Sequence, residues 1–171
     1  MESYYFNTDY SPQCLDLIKK ELNQPRWYIS PFGVERSDLS KELRAHVQSV
    51  LPFKISDVGF LRRRPKSMYR PHIDPMRTFA FNILMSDEGE NSGTYIVKVN
   101  HHIVDNTVDH IISVSNLKVN YIKDQITVLN VKQIHYTVND SDNDRIVLSI
   151  GCNESSYNEI IKTVSRDIIK L

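Results

Sequence analysis

The sequence predicts a mainly β domain of the sandwich or barrel type, flanked by helices. From about residue 54, seven or eight short runs rich in β-branched and aromatic residues follow one another, separated by Asp, Asn, Ser and Gly. Helical patterns fall almost entirely before and after these runs, which disfavours a parallel doubly wound sheet. We therefore expect one domain over residues 1–171, with helices over 1–53, a β core over 54–152 and a last helix over 153–171.

Three helices are predicted from apolar spacing and end signals. The first follows Ser11-Pro12 and the second follows Ser37, and each is closed by a later proline. The third begins with a capping box formed by Ser156 and Glu159. All three patterns indicate packing surfaces and carry no catalytic motif.

The predicted strands are bounded by turn-forming residues. They cover residues 78–85, 94–99, 110–114, 117–122, 125–129, 132–138 and 145–150. A further extended segment carries Tyr69, His72 and Asp74.

Composition and charge exclude several classes of protein. Hydrophobic residues make up 40% of the chain and acidic and basic counts are equal, which argues against disorder and against global attraction to nucleic acid or anionic lipid.

No apolar run approaches the ~20 residues of a membrane span, and the first residues lack a signal-peptide pattern. Cys14 and Cys152 lie far apart, as expected of buried thiols in a reducing compartment. We expect a cytoplasmic protein without a membrane partner.

The strongest chemical signal is a candidate metal site. His72 and Asp74 lie two residues apart, so both side chains point to one face of an extended strand. His135 lies in a later β-type run that a folded-over sheet could bring beside them. Two imidazoles and one carboxylate form the facial triad of non-haem iron(II) oxygenases. A His-x-Asp pair alone also arises by chance on surface strands.

Arg145 strengthens this interpretation. It begins a β run ten residues after His135, across a polar turn, and we expect a hairpin to set it on the strand next to that histidine. A planar guanidinium can bind a carboxylate through two parallel hydrogen bonds. This position therefore suits an acidic cosubstrate.

The pattern of His-x-Asp, a distant His and an Arg about ten residues further resembles the 2-oxoglutarate/iron(II)-dependent oxygenase superfamily. The segment from Tyr69 to Thr94, with Arg77 and the acidic turn 86–90, is similar to its prolyl-hydroxylase-like branch. The resemblance implies a double-stranded β-helix, or jelly roll, with helices on one sheet. It also implies that His72, Asp74 and His135 bind Fe(II), that Arg145 binds 2-oxoglutarate, and that O2 is consumed, with ascorbate as an optional reductant.

Three further residues are candidates for contact with 2-oxoglutarate. Asn82 is in phase with apolar residues of its strand, and either a cosubstrate contact or a satisfied core amide explains it. Tyr69 matches a tyrosine of the related branch three residues before the first ligand, but a packed strand tyrosine is an equal alternative. Ser149 is the third candidate.

The resemblance leaves the substrate open. Residues 91–94 lack the paired glycine that is usual in prolyl hydroxylases, and residues 121–124 lack their Pro-x-x-Gly turn, so prolyl specificity does not follow. A peptide or amino acid ranks first, ahead of another small molecule, and hydroxylation would release succinate and CO2. The alternative is a non-catalytic, metal-binding jelly-roll module of cupin type.

Competing signals are weaker. His101, His102, Asp105 and His110 could form a second metal site, but their spacing favours a solvated loop or strand edge. His46 is expected to be a partly buried structural residue. The basic run 62–66 could steer an anion or a nucleic acid, although an exposed strand edge protected by charge is the favoured explanation.

Overall fold

The computed structural model describes residues 4–8, 12–51, 53–104 and 107–153. The helices are α1 (Leu15–Leu22) and α2 (Lys41–Val50). The strands are β1 (Tyr5–Asn7), β2 (Tyr28–Ile29), β3 (Glu35–Asp38), β4 (Ile55–Arg63), β5 (Ser67–His72), β6 (Phe79–Leu84), β7 (Gly93–Val104), β8 (Thr107–Lys118), β9 (Ile126–Asn130), β10 (His135–Asn139) and β11 (Arg145–Cys152). The prediction of a mainly β chain with flanking helices is confirmed.

The strands form two antiparallel sheets. The larger sheet has the order β1-β9-β6-β11-β4-β3-β2, and the smaller has the order β5-β10-β7-β8. Ala80 and Leu129 of the larger sheet pack with Ile96 of the smaller sheet in one buried cluster. The two sheets therefore face each other, as in a β-sandwich.

The larger sheet is covered on both faces at its centre. Every residue of β6 is buried, although the chain alternates sides along the strand. One face, represented by Phe79 and Phe81, packs with Ile18 of α1 and Val47 of α2. The opposite face looks toward the smaller sheet. Central strands buried on both sides explain why β6 reads as a continuous apolar run broken only by Asn82.

The first third of the chain is less helical than predicted, because it also contributes β1, β2 and β3 to the larger sheet. The second helix does not follow Ser37 directly: this residue lies in β3, paired with Phe60, and the helix starts at Lys41. Ser40 is its N-cap and accepts a hydrogen bond from the Leu43 N–H at 3.2 Å. Long-range strand pairing thus displaced the predicted helix start.

The first helix begins at Leu15, later than the Ser11-Pro12 signal suggested, and its N-cap is Cys14. Ser11 and the predicted helix over 153–171, apart from residue 153 itself, lie outside the described residues. Within the described ranges, no helix has the length and apolar character needed to cross a membrane.

Residues 110–114 and 117–122 are not two strands. Val114, Ser115 and Asn116 all pair with β7, so the predicted break lies inside β8. Residues 119–122 leave the sheet. The twelve-residue strands β7 and β8 pair along their length, and this pairing overrides the local Ser and Asn break signals.

The basic run 62–66 is not a protected sheet edge. Arg62 and Arg63 belong to β4, which pairs with β3 on one side and with β11 on the other. Glu35 of β3 accepts hydrogen bonds from Arg62 and Arg64. These hydrogen bonds, first from Arg64 and then from Arg62, lower the pKa of Glu35 to about 2.

Candidate metal centre

Three side chains with metal-binding donor atoms converge where the smaller sheet meets the cavity. His72 ends β5 and His135 begins β10, and antiparallel pairing sets these two residues opposite each other. Asp74 follows β5 by two residues, where its backbone N–H donates to the Val131 carbonyl oxygen at 3.1 Å. The donor atoms of the three side chains lie within 4.8 Å of one another. The structure thus brings together the three residues that the sequence singled out.

Each of the two imidazole rings is oriented by a contact between its Nδ1 atom and a backbone carbonyl oxygen. The Nδ1 atom of His72 lies 3.0 Å from the Arg70 carbonyl oxygen, and that of His135 lies 2.8 Å from the Gln133 carbonyl oxygen. Because a carbonyl oxygen only accepts, we assign the proton to each Nδ1, which leaves the Nε2 lone pairs for a metal ion. Two imidazoles and one carboxylate form a donor set that fits Fe(II).

The ionisation of the site favours a bound cation. Burial acts to raise the pKa of Asp74, but the charge of Arg77, which is paired with its carboxylate, holds that pKa below its ordinary value. Burial lowers the pKa of His135. Asp74 is therefore ionised and His135 neutral near pH 7, the states in which both bind a metal.

Arg145 reaches the same cavity from the opposite sheet. Its strand, β11, lies between β6 and β4, so the prediction that it neighbours the His135 strand is wrong. The segment 140–144 crosses from one sheet to the other and is anchored by Asn139, whose Nδ2 donates to the Arg63 carbonyl oxygen at 2.9 Å. A polar connection of this length can cross the ~10 Å between packed sheets, which a tight hairpin cannot.

The Arg145 guanidinium is buried and oriented by one carboxylate. Its side chain is only 4% exposed, and Nε donates to Glu88 Oε1 at 2.7 Å. Nη2 makes a long contact of 3.5 Å with Thr94 Oγ1, and Cζ lies 5.2 Å from the Tyr121 ring centroid. Glu88 was not predicted as a site residue, although it lies in the acidic turn 86–90. With Nε occupied, the terminal nitrogens remain for a ligand carboxylate.

The three weaker candidates all line the cavity. Asn82 Nδ2 donates to the Tyr121 hydroxyl at 3.1 Å, whereas its buried Oδ1 has no hydrogen-bond partner. Tyr69 packs edge-on against the His72 ring at 4.7 Å and donates its hydroxyl to the Phe32 carbonyl oxygen at 2.9 Å. Ser149 Oγ accepts from Arg77 Nη1 at 3.0 Å. Their contacts with 2-oxoglutarate remain predictions.

Arg77 is a site residue that sequence analysis did not assign a role. Its Nη2 pairs with Asp74 Oδ2 while Nη1 binds Ser149. The other carboxylate oxygen, Asp74 Oδ1, lies 3.4 Å from His72 Nε2 and is the oxygen turned toward the metal position. Arg77 therefore fixes the rotamer of a candidate metal ligand, a role that residues hydrogen-bonded to metal ligands commonly have. The i,i+3 spacing from Asp74 was the available signal.

Gly151 provides a test of this role. A Cβ atom at Gly151 would overlap Cδ of Arg77 and approach its Cγ to 2.9 Å. Gly151→Ala is therefore expected to displace Arg77 from Asp74 and to lower the affinity for Co(II) about tenfold, measured by isothermal titration. In an Arg77→Ala background the same substitution should have little further effect. An equal loss in both backgrounds would contradict the proposed coupling.

The site opens into a cavity of about 840 Å³ between the sheets. The three candidate ligands, Arg145 and the apolar residues Leu129, Val131 and Val147 share its walls. Its volume lies in the range of small-molecule sites.

The competing histidines have two different outcomes. His46 lies on α2 and is exposed, so the prediction of a partly buried residue is wrong. The side chains of His101, His102 and His110, as well as Asp105, lie outside the described residues.

Comparisons with known proteins give the same architecture. No protein-family model and no curated protein matches the sequence. HygX from Streptomyces hygroscopicus, solved with nickel, 2-oxoglutarate and hygromycin B bound, has a TM-score of 0.52 at 14% identity, over 89% of this chain and 83% of HygX. A Pseudomonas putida prolyl-4-hydroxylase has a TM-score of 0.52 at 13% identity, over 89% of this chain and 94% of that protein.

An oxidoreductase of the 2OG-Fe(II) oxygenase family from Burkholderia pseudomallei has a TM-score of 0.51 at 13% identity, over 83% of this chain and 81% of that protein. These likenesses show that the chain has the fold of 2-oxoglutarate/iron(II) oxygenases. The predicted jelly roll is confirmed.

Proposed function

We propose that this chain is an iron(II)- and 2-oxoglutarate-dependent dioxygenase that hydroxylates a C–H bond of its substrate and releases succinate and CO2. The observation that carries the proposal is the meeting of two independent features in one cavity: a His72/Asp74/His135 donor set and a buried Arg145. The proposal is supported by the fold that the chain shares with HygX, the Burkholderia pseudomallei oxidoreductase and the Pseudomonas putida prolyl-4-hydroxylase.

The metal ligands come from one side of the cavity. His72, Asp74 and His135 would hold Fe(II) through two Nε2 atoms and one carboxylate oxygen, leaving its remaining positions for ligands. When bound, iron and 2-oxoglutarate supply the activation of O2 and the oxidising equivalents. The protein would orient these groups and exclude water from them. The apolar side chains of Leu129 and Val131 in the cavity wall would help to exclude water.

Arg145 would bind the distal carboxylate of 2-oxoglutarate. Glu88 accepts a hydrogen bond from Arg145 Nε, so the guanidinium is oriented before the ligand binds. Prior orientation lowers the entropy cost of binding. The keto acid end would then point toward the three metal ligands, since Arg145 and the triad line the same cavity from opposite sheets.

A peptidyl or amino-acid substrate ranks first among the classes. This ranking rests on the similarity of residues 69–94 to the prolyl-hydroxylase-like branch and on the fold shared with the Pseudomonas putida prolyl-4-hydroxylase. The cytoplasm is the compartment we propose, in accord with two buried cysteines, Cys14 and Cys152.

Binding of 2-oxoglutarate tests the proposal before any substrate is known. We expect Ni(II) to raise the affinity for 2-oxoglutarate at least about tenfold in calorimetric titration, because chelation adds to the Arg145 contact. With Ni(II) present, 2-oxopentanoate, which lacks the distal carboxylate, should bind at least about tenfold more weakly. Equal affinity with and without metal would favour the non-catalytic jelly-roll module instead.

A further inference from the structure

The cavity is far more basic than the chain as a whole. The formal net charge of the protein is zero, yet seven arginines and one lysine line the cavity against three aspartates. Four of these arginines are neutralised by carboxylates placed against them, as Arg145 is by Glu88 and Arg77 is by Asp74. A surplus of positive charge remains on the cavity wall. Such a surface attracts anionic ligands.

Arg63 is the cavity arginine that lacks a counter-ion despite partial burial. Within the described part of the chain, its side chain makes no ion pair or hydrogen bond, and its buried Nε has no partner. Its one specific contact is with the Tyr69 ring, whose centroid lies 5.0 Å from Cζ. Burial lowers the pKa of Arg63, but a guanidinium stays charged at any physiological pH. An unpaired cation in this position is costly unless a ligand supplies the anion.

The strand register places Arg63 next to both halves of the proposed site. Arg63 on β4 lies directly opposite Arg145 on β11, so both side chains stand on the cavity face of the larger sheet. On its other side, Arg63 contacts Tyr69, whose ring packs against the metal-ligand candidate His72. Because Arg145 is committed to 2-oxoglutarate in the proposed function, Arg63 is available to a second anion beside it.

The mouth of the cavity adds an apolar surface. Phe32, Ile73 and Met76 line it, and each has at least 49% of its surface exposed. The Tyr69 hydroxyl ties the Phe32 loop to β5 by its hydrogen bond to the Phe32 carbonyl oxygen. A ligand that reaches Arg63 from solvent would therefore meet an apolar rim, one loop of which is tied to β5.

We propose that Arg63 binds a carboxylate or phosphate group of the primary substrate, which is a small organic anion with an apolar body. This inference rests on the proposed oxygenase function and narrows its substrate class. An amino acid or short peptide with a free carboxylate is compatible with it. The anion is held by Arg63 beside Tyr69, and the apolar body lies toward Phe32 and Met76.

The test uses simple probes on the protein loaded with Ni(II) and 2-oxoglutarate. Phenylacetate and phenyl phosphate carry the two candidate anions, and phenylacetamide is the neutral counterpart. Binding is compared by calorimetry in the wild type, Arg63→Gln, Arg63→Lys and the matched control Arg64→Gln. Arg64 carries the same charge on the next residue but pairs with Glu35 outside the cavity.

We expect at least one anionic probe to bind the wild type and Arg64→Gln at least about tenfold more tightly than Arg63→Gln, with Arg63→Lys between them. Phenylacetamide should bind all four proteins equally weakly. The stronger anionic probe tells whether carboxylate or phosphate is preferred. Arg63→Gln should keep the unfolding temperature of the wild type within a few degrees, because no ion pair is lost.

Two results would overturn the inference: anionic probes that bind no better than phenylacetamide, or an Arg63→Gln variant that loses affinity for 2-oxoglutarate as strongly as for the probes. The second result would make Arg63 part of the 2-oxoglutarate site. If 2-oxoglutarate fails to bind the wild type while probe binding still depends on Arg63, the oxygenase proposal fails and the anion site stands.

Discussion

Asp74→Ala is expected to lower the affinity for divalent metal by about 100-fold or more and to abolish metal-dependent binding of 2-oxoglutarate. Loss of a residue that only hydrogen-bonds to a metal ligand typically costs about 10- to 100-fold in metal affinity, and Asp74 is itself a candidate ligand, the one carboxylate among the three. The substitution also leaves Arg77 without its carboxylate, so a positive charge would stand beside the incoming cation. Titration with Co(II) and then with 2-oxoglutarate measures both effects.

Asp57→Ala is the matched control for Asp74→Ala. Asp57 also lines the cavity and also pairs with an arginine, Arg36, at 2.6 Å, but it lies outside the three-residue donor set. We expect this control to change metal affinity by less than about threefold, although it too removes an arginine–aspartate ion pair of the cavity wall. If both variants bind Co(II) as the wild type does, Asp74 is not a metal ligand.

Arg145→Lys is expected to weaken 2-oxoglutarate about 10- to 100-fold while leaving metal affinity nearly unchanged. Lysine keeps the charge but loses the planar fork that binds a carboxylate through two hydrogen bonds. A loss of about 1.4–3 kcal/mol for a buried charge-assisted contact corresponds to that range. The residue lies on the sheet opposite the triad, so the metal should not sense the change directly.

The keto acid 2-oxopentanoate supplies the control for Arg145→Lys. It can chelate the metal but has no distal carboxylate, so its affinity should be nearly the same in the wild type and in the variant. A variant that loses affinity for both keto acids, or for Co(II), would show that Arg145 acts on the structure of the site and not as a carboxylate clamp.

Part of the candidate metal centre could be predicted because two of its residues lie close together in the sequence. His72 and Asp74 lie two residues apart, and side chains at that spacing in an extended chain point to the same face. His135 was a candidate because it is a histidine within a β-type run. No local pattern predicts the strand register that sets His135 opposite His72, because the two residues are more than sixty positions apart. Only the resemblance to a known family indicated that His135 lies beside His72 and Asp74.

The errors share a physical cause, namely long-range pairing. Ser37 was predicted to precede a helix, but it lies in β3, which pairs with β4. The loop before Arg145 was predicted to be a hairpin, but it crosses from one sheet to the other. Glu88 was missed for a similar reason, since its partner Arg145 lies 57 residues further along the chain. The proposed anion site at Arg63 likewise depends on which side of β4 faces the cavity.

An anaerobic titration of the protein with Fe(II) and 2-oxoglutarate, followed by visible absorption, tests whether the two bind together at the proposed site. We predict a metal-to-ligand charge-transfer band that appears only when both are present and that is absent in His72→Ala, since its source would be 2-oxoglutarate chelated to iron held by His72, Asp74 and His135. If the folded wild-type protein shows no band, or if the band persists in His72→Ala, these residues do not form the proposed iron site.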